Sequence, residues 1–368
     1  MHVYVHVPFC ARRCSYCDFA IAVRRDVPSR RFVDAVRREW LGWQDHPVWA
    51  ESGEVRTVYF GGGTPSRLDP AGITELLAAI GRARAVSPEA EVTLEANPED
   101  VTPALASAWR AAGVNRVSLG VQSFDPAVLQ WMHRTHTAEQ VAPALAAIRG
   151  AGIDDVSLDL IFGLPAALGR DWERDLSLAF ALAPAHLSLY GLTVEEHTPL
   201  WRWTERGEVT PVDEERYAAE FLQAGRALAR HGFEHYEVSN AALPGRRARH
   251  NTAYWRRAPF IGLGPSAHSG FGRTRRWNLR EWSAYERASG AGESVEAGRE
   301  ELTAEAVELE ERYLGLRTIE GVPAERLPAE TVTEWTAAGW AQITPARRVR
   351  LTAEGWLRLD ALVASATA

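Results

Sequence analysis

The chain has 368 residues, 46% hydrophobic and 24% charged, enough to bury one large core with a smaller unit beside it. Its formal net charge of −7 supplies no basic field for nucleic acid, and all 41 basic residues are arginine, which excludes lysine Schiff bases and a lysine phosphate clamp. No apolar run of about 18 residues offers a membrane span, and Met1–Phe9 reads as a β-branched strand rather than a signal peptide.

Short β-branched or aromatic runs then alternate with helix-period stretches. The predicted strands are Val3–Val7, Thr57–Phe60, Glu91–Glu95, Arg116–Val121, Asp155–Phe162 and His186–Leu192. Amphipathic segments lie between them at Arg31–Trp43, Ile73–Ala83, Ala104–Ala112, Ala138–Gly150 and Asp171–Leu182, with Gly113, Gly150 and Gly152 where helix C-caps are expected. Six strands, each followed by a helix, predict an α/β fold with a parallel sheet. Six units fall short of a closed eightfold barrel, so an open, partial (β/α)6 barrel and a doubly wound sheet both fit. A long helix over Asp213–His231 follows, then an irregular stretch from Phe233 to Trp277. From Val295 to Ala368 the order is helix, helix, hairpin (Ala341–Leu351) and helix, which suits a small winged-helix-like unit. The expected division is 1–232, 233–290 and 291–368.

Only three cysteines occur, within eight residues of one another, so disulfides cannot organise the chain, and a reducing cytoplasm is the expected compartment. Cys10, Cys14 and Cys17 form C-x3-C-x2-C directly after the first strand. Thiolates favour soft metals and iron–sulfur clusters. Three ligands in a tight loop can hold three irons of a cubane and leave the fourth open to chelate a substrate or cofactor. On spacing alone, a zinc knuckle completed by His2 or His6, or buried free thiols, stays open as an alternative.

Polar residues recur at the C-terminal ends of the later strands. Gly61-Gly62-Gly63-Thr64-Pro65 follows the second, Glu95 ends the third, Gln122 ends the fourth with Arg134 twelve residues on, and Asp159 lies in the fifth. Taken singly, each could be a turn or a helix cap. Together they point into one mouth, where parallel sheets bind ligands.

With Tyr16 between the second and third cysteines, this arrangement resembles the radical S-adenosylmethionine superfamily over roughly Met1–Leu200. The resemblance implies a 4Fe–4S cluster whose open iron binds the amino and carboxylate groups of S-adenosylmethionine and cleaves it to a 5′-deoxyadenosyl radical. Tyr4, Tyr16, Gly62, Gly63, Thr64, Glu95, Gln122, Arg134 and Asp159 match the cofactor pocket of the coproporphyrinogen dehydrogenase-like (HemN-related) branch. There Glu95 would hold the ribose hydroxyls, and Arg134 and Gln122 the carboxylate side. Within that branch, three features resemble the HemW-type haem chaperones rather than the dehydrogenase. Phe19 stands where the dehydrogenase has a further cysteine, the sequence starts directly at the first strand, and His250-Asn251-Thr252-Ala253-Tyr254-Trp255 reproduces H-N-x-x-Y-W.

That motif implies His250 as a haem ligand, Tyr254 and Trp255 as flat faces for a porphyrin, and the flanking Arg246, Arg247, Arg249, Arg256 and Arg257 as partners for propionates. The loop is expected near the barrel opening, with His268 as a reserve ligand. The implied function is binding haem and passing it to an acceptor protein, with an electron donor for the cluster and without coproporphyrinogen dehydrogenase activity; the alternative is that dehydrogenase. A homodimer and transient membrane contact are compatible with the sequence. The winged-helix-like section, with Arg347-Arg348-Val349-Arg350, raises nucleic acid, but acidic Val295–Glu311 argues against it. The section is expected to pack over the barrel mouth instead.

Overall fold

The computed structural model describes residues 1–51 and 53–366; Thr367 and Ala368, the end of the expected final section, lie outside the described residues. Alternation in the first strand, β1 (His2–Val7), sets the layers. Val3, Val5 and Val7 are fully buried against the helices, and His2, Tyr4 and His6 therefore point to the opposite face. Parallel to it run β2 (Val55–Gly62), β3 (Val86–Ala96), β4 (Arg116–Gln122), β5 (Asp155–Phe162) and β6 (His186–Gly191), side by side in sequence order. A doubly wound sheet would reverse that order part-way. Strands that follow one order with one hand of crossover keep every helix on the same face, which is the open partial barrel. Between the strands come α1 (Ser29–Trp43), α2 (Pro70–Ala83), α3 (Pro103–Ala112), α4 (Val141–Gly150) and α5 (Trp172–Ala181), and after β6 comes α6 (Glu214–Arg230). Gly113 caps α3 in the left-handed region at φ 111°, whereas Gly150 is the last residue of α4 and not its cap.

The stretch Phe233–Trp277 is not irregular. It supplies β7 (Glu234–Glu237) and β8 (Asn240–Ala242) beyond β6, the helix α7 (Arg249–Trp255), and β9 (Phe260–Leu263), β10 (His268–Phe271) and β11 (Thr274–Asn278) beyond β1. Strands of three to five residues carry too few alternations to show a period in the sequence. After α8 (Trp282–Ala291), β12 (Glu296–Glu301) completes a twelve-stranded sheet in the order β12-β11-β10-β9-β1-β2-β3-β4-β5-β6-β8-β7.

The C-terminal section holds α9 (Ala304–Leu316), β13 (Val322–Pro323), α10 (Ala329–Ala337), β14 (Ala341–Ile343) and β15 (Arg348–Leu351), and its final helix is broken into Ala353–Trp356 and Leu359–Ser365. At the mouth side its Glu354, Leu357 and Arg358 line a cavity with Gly163 and Leu192, which follow β5 and β6. Val238 N donates to Arg317 O (3.1 Å) and Ile319 N to Tyr236 O (3.1 Å) on one flank of the sheet, while Glu310 meets Arg257 and Arg275 on the other. The section therefore bridges the two flanks.

A buried carboxylate ties the β9–β11 flank to α1. Glu39 accepts from Gly264 N (2.8 Å), Asn278 Nδ2 (2.6 Å) and the Tyr285 hydroxyl (2.5 Å), three donors from three separate elements. Burial pushes its pKa up, and these bonds oppose the shift. Glu39→Leu strands buried donors, each at roughly 1–3 kcal/mol. We expect a clear fall in urea or thermal stability, smaller for Glu39→Gln, which keeps an acceptor. A Glu39→Leu protein as stable as wild type would contradict this role.

Candidate cofactor site at the mouth of the sheet

The cysteine loop begins where β1 ends. A short parallel pair, Phe9–Cys10 with Ala22–Val23, closes it, with Ala22 N bonded to Pro8 O (2.7 Å) and Arg24 N to Cys10 O (2.9 Å). Ser15 N, inside the loop, bonds Met132 O (3.1 Å). Polar groups reach two sulfurs: Thr64 Oγ1 lies 3.5 Å from Cys10 Sγ, and Arg134 Nη1 lies 3.7 Å from Cys14 Sγ. All three cysteines are free. Burial pushes the Cys10 thiol up and Cys17 up to about 12, so a metal must displace protons to bind. Among the described residues no three His, Cys, Asp or Glu side chains close on a single ion. A cubane with one thiolate on each of three irons does not require them to.

Cys14 and Cys17 face a cavity of about 390 Å³ that the strand ends complete. Tyr16, Gly62, Gly63, Thr64, Glu95, Gln122, Arg134 and Asp159 all line it, so the structure brings together eight of the nine residues expected to hold the nucleotide. Tyr4 is the exception: its ring stacks on Tyr59 at 6.0 Å, its hydroxyl bonds His6 Nδ1 (3.1 Å), and it lines a different cavity.

The glycines serve packing as much as ligand approach. Gly62 has φ 111°, and a Cβ there would sit 2.6 Å from the His6 ring; at Gly63 it would sit 2.7 Å from the Pro8 backbone. The Gly62 amide donates to Glu95 (3.0 Å), which also accepts from the Tyr59 hydroxyl (2.8 Å). Asp159 accepts from Ser118 at 2.9 and 3.0 Å. Gln122 is aimed by a register break between Gly120 and Gln122 and holds φ 65°, a conformation that non-glycine residues avoid. Arg134 Nη2 donates to Asn97 Oδ1 (2.6 Å) and Gly120 O (2.9 Å), while its Nε is buried without a partner among the described residues. An orphaned guanidinium N–H, two carboxylates and backbone edges in one cavity fit a zwitterionic nucleotide beside the sulfurs. Asn97, Ser118 and Tyr190 line the cavity too. The rule that found Gln122, a polar residue near the end of a parallel strand, would have found Asn97 and Tyr190 but not Ser118, which is the third residue of β4.

His250 stands elsewhere. It lies on α7 and is fully buried at the opposite end of the barrel. Nδ1 bonds Thr57 Oγ1 (2.6 Å), Nε2 bonds the Tyr254 hydroxyl (2.8 Å), and the backbone N donates to Glu91 (2.9 Å). Burial pushes its pKa down to about 3. The expected place at the barrel opening is thus overturned: α7 plugs the floor, where β1, β2 and β3 begin, and neither ring nitrogen is free. The flanking arginines are also largely committed. Arg247 pairs with Glu234, Arg256 with Glu320, and Arg257 with Glu310 and Glu311.

A curved parallel sheet with a three-cysteine loop and a polar cradle at its C-terminal edge defines a radical S-adenosylmethionine protein, and residues 4–179 match the profile of the Radical SAM superfamily. The chain is 37% identical to heme chaperone HemW of Mycobacterium tuberculosis, over 98% of this chain and 93% of that protein. It is likewise 37% identical to heme chaperone HemW of Synechocystis, over 90% and 81%. The solved structure of coproporphyrinogen III oxidase HemN of Escherichia coli superposes with a TM-score of 0.79 at 20% identity, over 98% of this chain and 88% of that one, a likeness of fold. The chain belongs to the HemW family within that superfamily.

Burial, and then the neighbouring Asp159, push Glu95 up to about 7. A carboxyl raised in the folded state stabilises fully below its unfolded value of about 4.5 and loses that contribution as pH rises through 7. The unliganded wild type should therefore lose stability relative to Glu95→Gln between pH 4.5 and pH 8, by about 3 kcal/mol at most. Urea unfolding of both proteins at several pH values checks this; a pH-independent difference contradicts it.

Proposed function

We propose that this chain is a haem carrier: it holds a 4Fe–4S cluster on Cys10, Cys14 and Cys17, binds S-adenosylmethionine in the adjoining cradle, and takes up haem for transfer to an acceptor protein. The observation that carries the reading is the surroundings of Phe19, two residues after Cys17. Its side chain is 55% exposed and lines both the cradle and a neighbouring aromatic cavity that includes Tyr254 and Trp255. An apolar residue between a cluster site and an aromatic pocket suits contact with a flat cargo. The two relatives named as heme chaperones support the same reading.

When bound, a cluster with one open iron supplies chelation and an electron to the cofactor beside it. The chain's own residues do the positioning. Arg134, whose Nε has no hydrogen-bond partner among the described residues, would hold the cofactor's carboxylate, and Glu95 would hold the ribose. Tyr16 walls the cavity beside the cysteine loop. No described helix is long and apolar enough to cross a membrane. Free thiol ligands suit a reducing compartment such as the cytoplasm.

Anaerobic reconstitution tests the proposal. Wild type should take up about four irons, show an altered EPR signal with S-adenosylmethionine, and bind one haem per chain. Alanine at any of the three cysteines should abolish the first two properties. With Phe19 at this position, coproporphyrinogen III should not be decarboxylated. Stoichiometric zinc without iron uptake would remove the cluster, and no haem binding by reconstituted wild type would remove the carrier role.

A further inference from the structure

The cavity on the far side of Phe19 has a volume of about 550 Å³, within the range of about 300–1,000 Å³ typical of small-molecule sites. It lies on the concave face of β9–β11, next to the cysteine loop. Gly270 leaves room for the Phe260 ring, since a Cβ there would come within 2.7 Å of it. Tyr254 and Trp255 form one wall, and Leu314 of the C-terminal section closes another. The result is a broad apolar slot with charged groups at its rim.

Two histidines line the slot, and they differ. His6 has both ring nitrogens engaged, Nδ1 with the Tyr4 hydroxyl (3.1 Å) and Nε2 with Ala20 O (2.9 Å). Neither ring nitrogen of His268 has a hydrogen-bond partner among the described residues, and its ring stacks on Trp277 at 6.0 Å and 28°. The arginines divide the same way. Arg257 and Arg275 both meet Glu310. Arg280 donates to the Asp18 carbonyl (2.9 Å) and has no carboxylate partner among the described residues.

The turn that presents His268 is held firmly. Ser266 carries φ 61°, Gly264 carries φ 95° against the His6 carbonyl, and Glu39 grips the Gly264 amide. A backbone held in a sparsely populated region by a buried anchor is the usual mark of a side chain that must be aimed.

We propose that haem occupies this slot with His268 as a ligand to its iron, Arg280 pairing with a propionate, and Phe19 covering the porphyrin face nearest the cluster. The assignment rests on the haem-carrier reading above and moves the ligand from His250, whose nitrogens are committed, to His268, whose nitrogens are not. Imidazole is a common axial ligand for haem iron, and a guanidinium pairs strongly with a carboxylate.

Titration of ferric haem into reconstituted protein, followed by the Soret band, tests this. Wild type should give a histidine-ligated spectrum, and His268→Ala should lose that spectrum and bind at least about tenfold more weakly. His268→Cys should shift the band to a thiolate-type position, a positive signal that misfolding cannot mimic. His250→Gln should keep the wild-type spectrum. Arg280→Ala should bind haem roughly tenfold more weakly yet bind haem dimethyl ester as wild type does, because the ester has no propionate charge to lose. His268→Ala with unchanged affinity and spectrum would overturn the ligand while leaving the carrier role intact. Wild type that binds no haem would overturn the carrier role itself.

Discussion

One strand, His2–Val7, is hydrogen-bonded on both sides, to β2 and to β9, and its strict alternation divides the molecule. Its valines enter the helix layer and its His2, Tyr4 and His6 enter the concave face. The strand runs straight into Cys10, so whatever fixes its register fixes the cysteine loop. Because β1 lies between the barrel strands and the β9–β11 flank, the same strand separates the cradle from the second cavity. Phe19, on the far side of the cysteine loop, is where the two meet. A one-residue slip would exchange valines for histidines and destroy both sides at once.

The two cavities call for different chemistry. The cradle is built from backbone edges, paired carboxylates and one guanidinium, a set suited to a zwitterion with a ribose. The second slot is aromatic, and charge stays at its rim, which suits a flat apolar body with anionic substituents. At the floor, His250, Thr57, Tyr254 and Glu91 form a satisfied polar network. The first half of the H-N-x-x-Y-W motif thus seats helix α7, and the second half delivers Tyr254 and Trp255 to the slot.

Much of this was legible in the sequence. The six barrel strands were found because each is a β-branched run long enough to show itself; strand ends that converge in a parallel sheet pointed to the mouth, and the family resemblance supplied the set of nine cradle residues, eight of which line the cavity. What was not legible depended on distance along the chain. Glu39 reads as a surface charge in an amphipathic helix; its partners lie 225 to 246 residues away. The motif around His250 shows which residues travel together but not which way a seven-residue helix turns. Likewise, nothing local tells that the C-terminal section bridges two flanks of the sheet, because that follows from ion pairs and backbone bonds made only after the sheet has formed.

The central claim is spatial: haem and cluster sit on opposite sides of Phe19. Pulsed and power-saturation EPR on protein carrying the reduced cluster together with cobalt(II) protoporphyrin in place of haem, a paramagnet that survives the reductant the cluster needs, measures this directly. The account predicts strong mutual relaxation enhancement, as expected of paramagnets separated by little more than one side chain. Signals that behave as they do in proteins carrying either centre alone would place haem far from the cluster and would contradict the account.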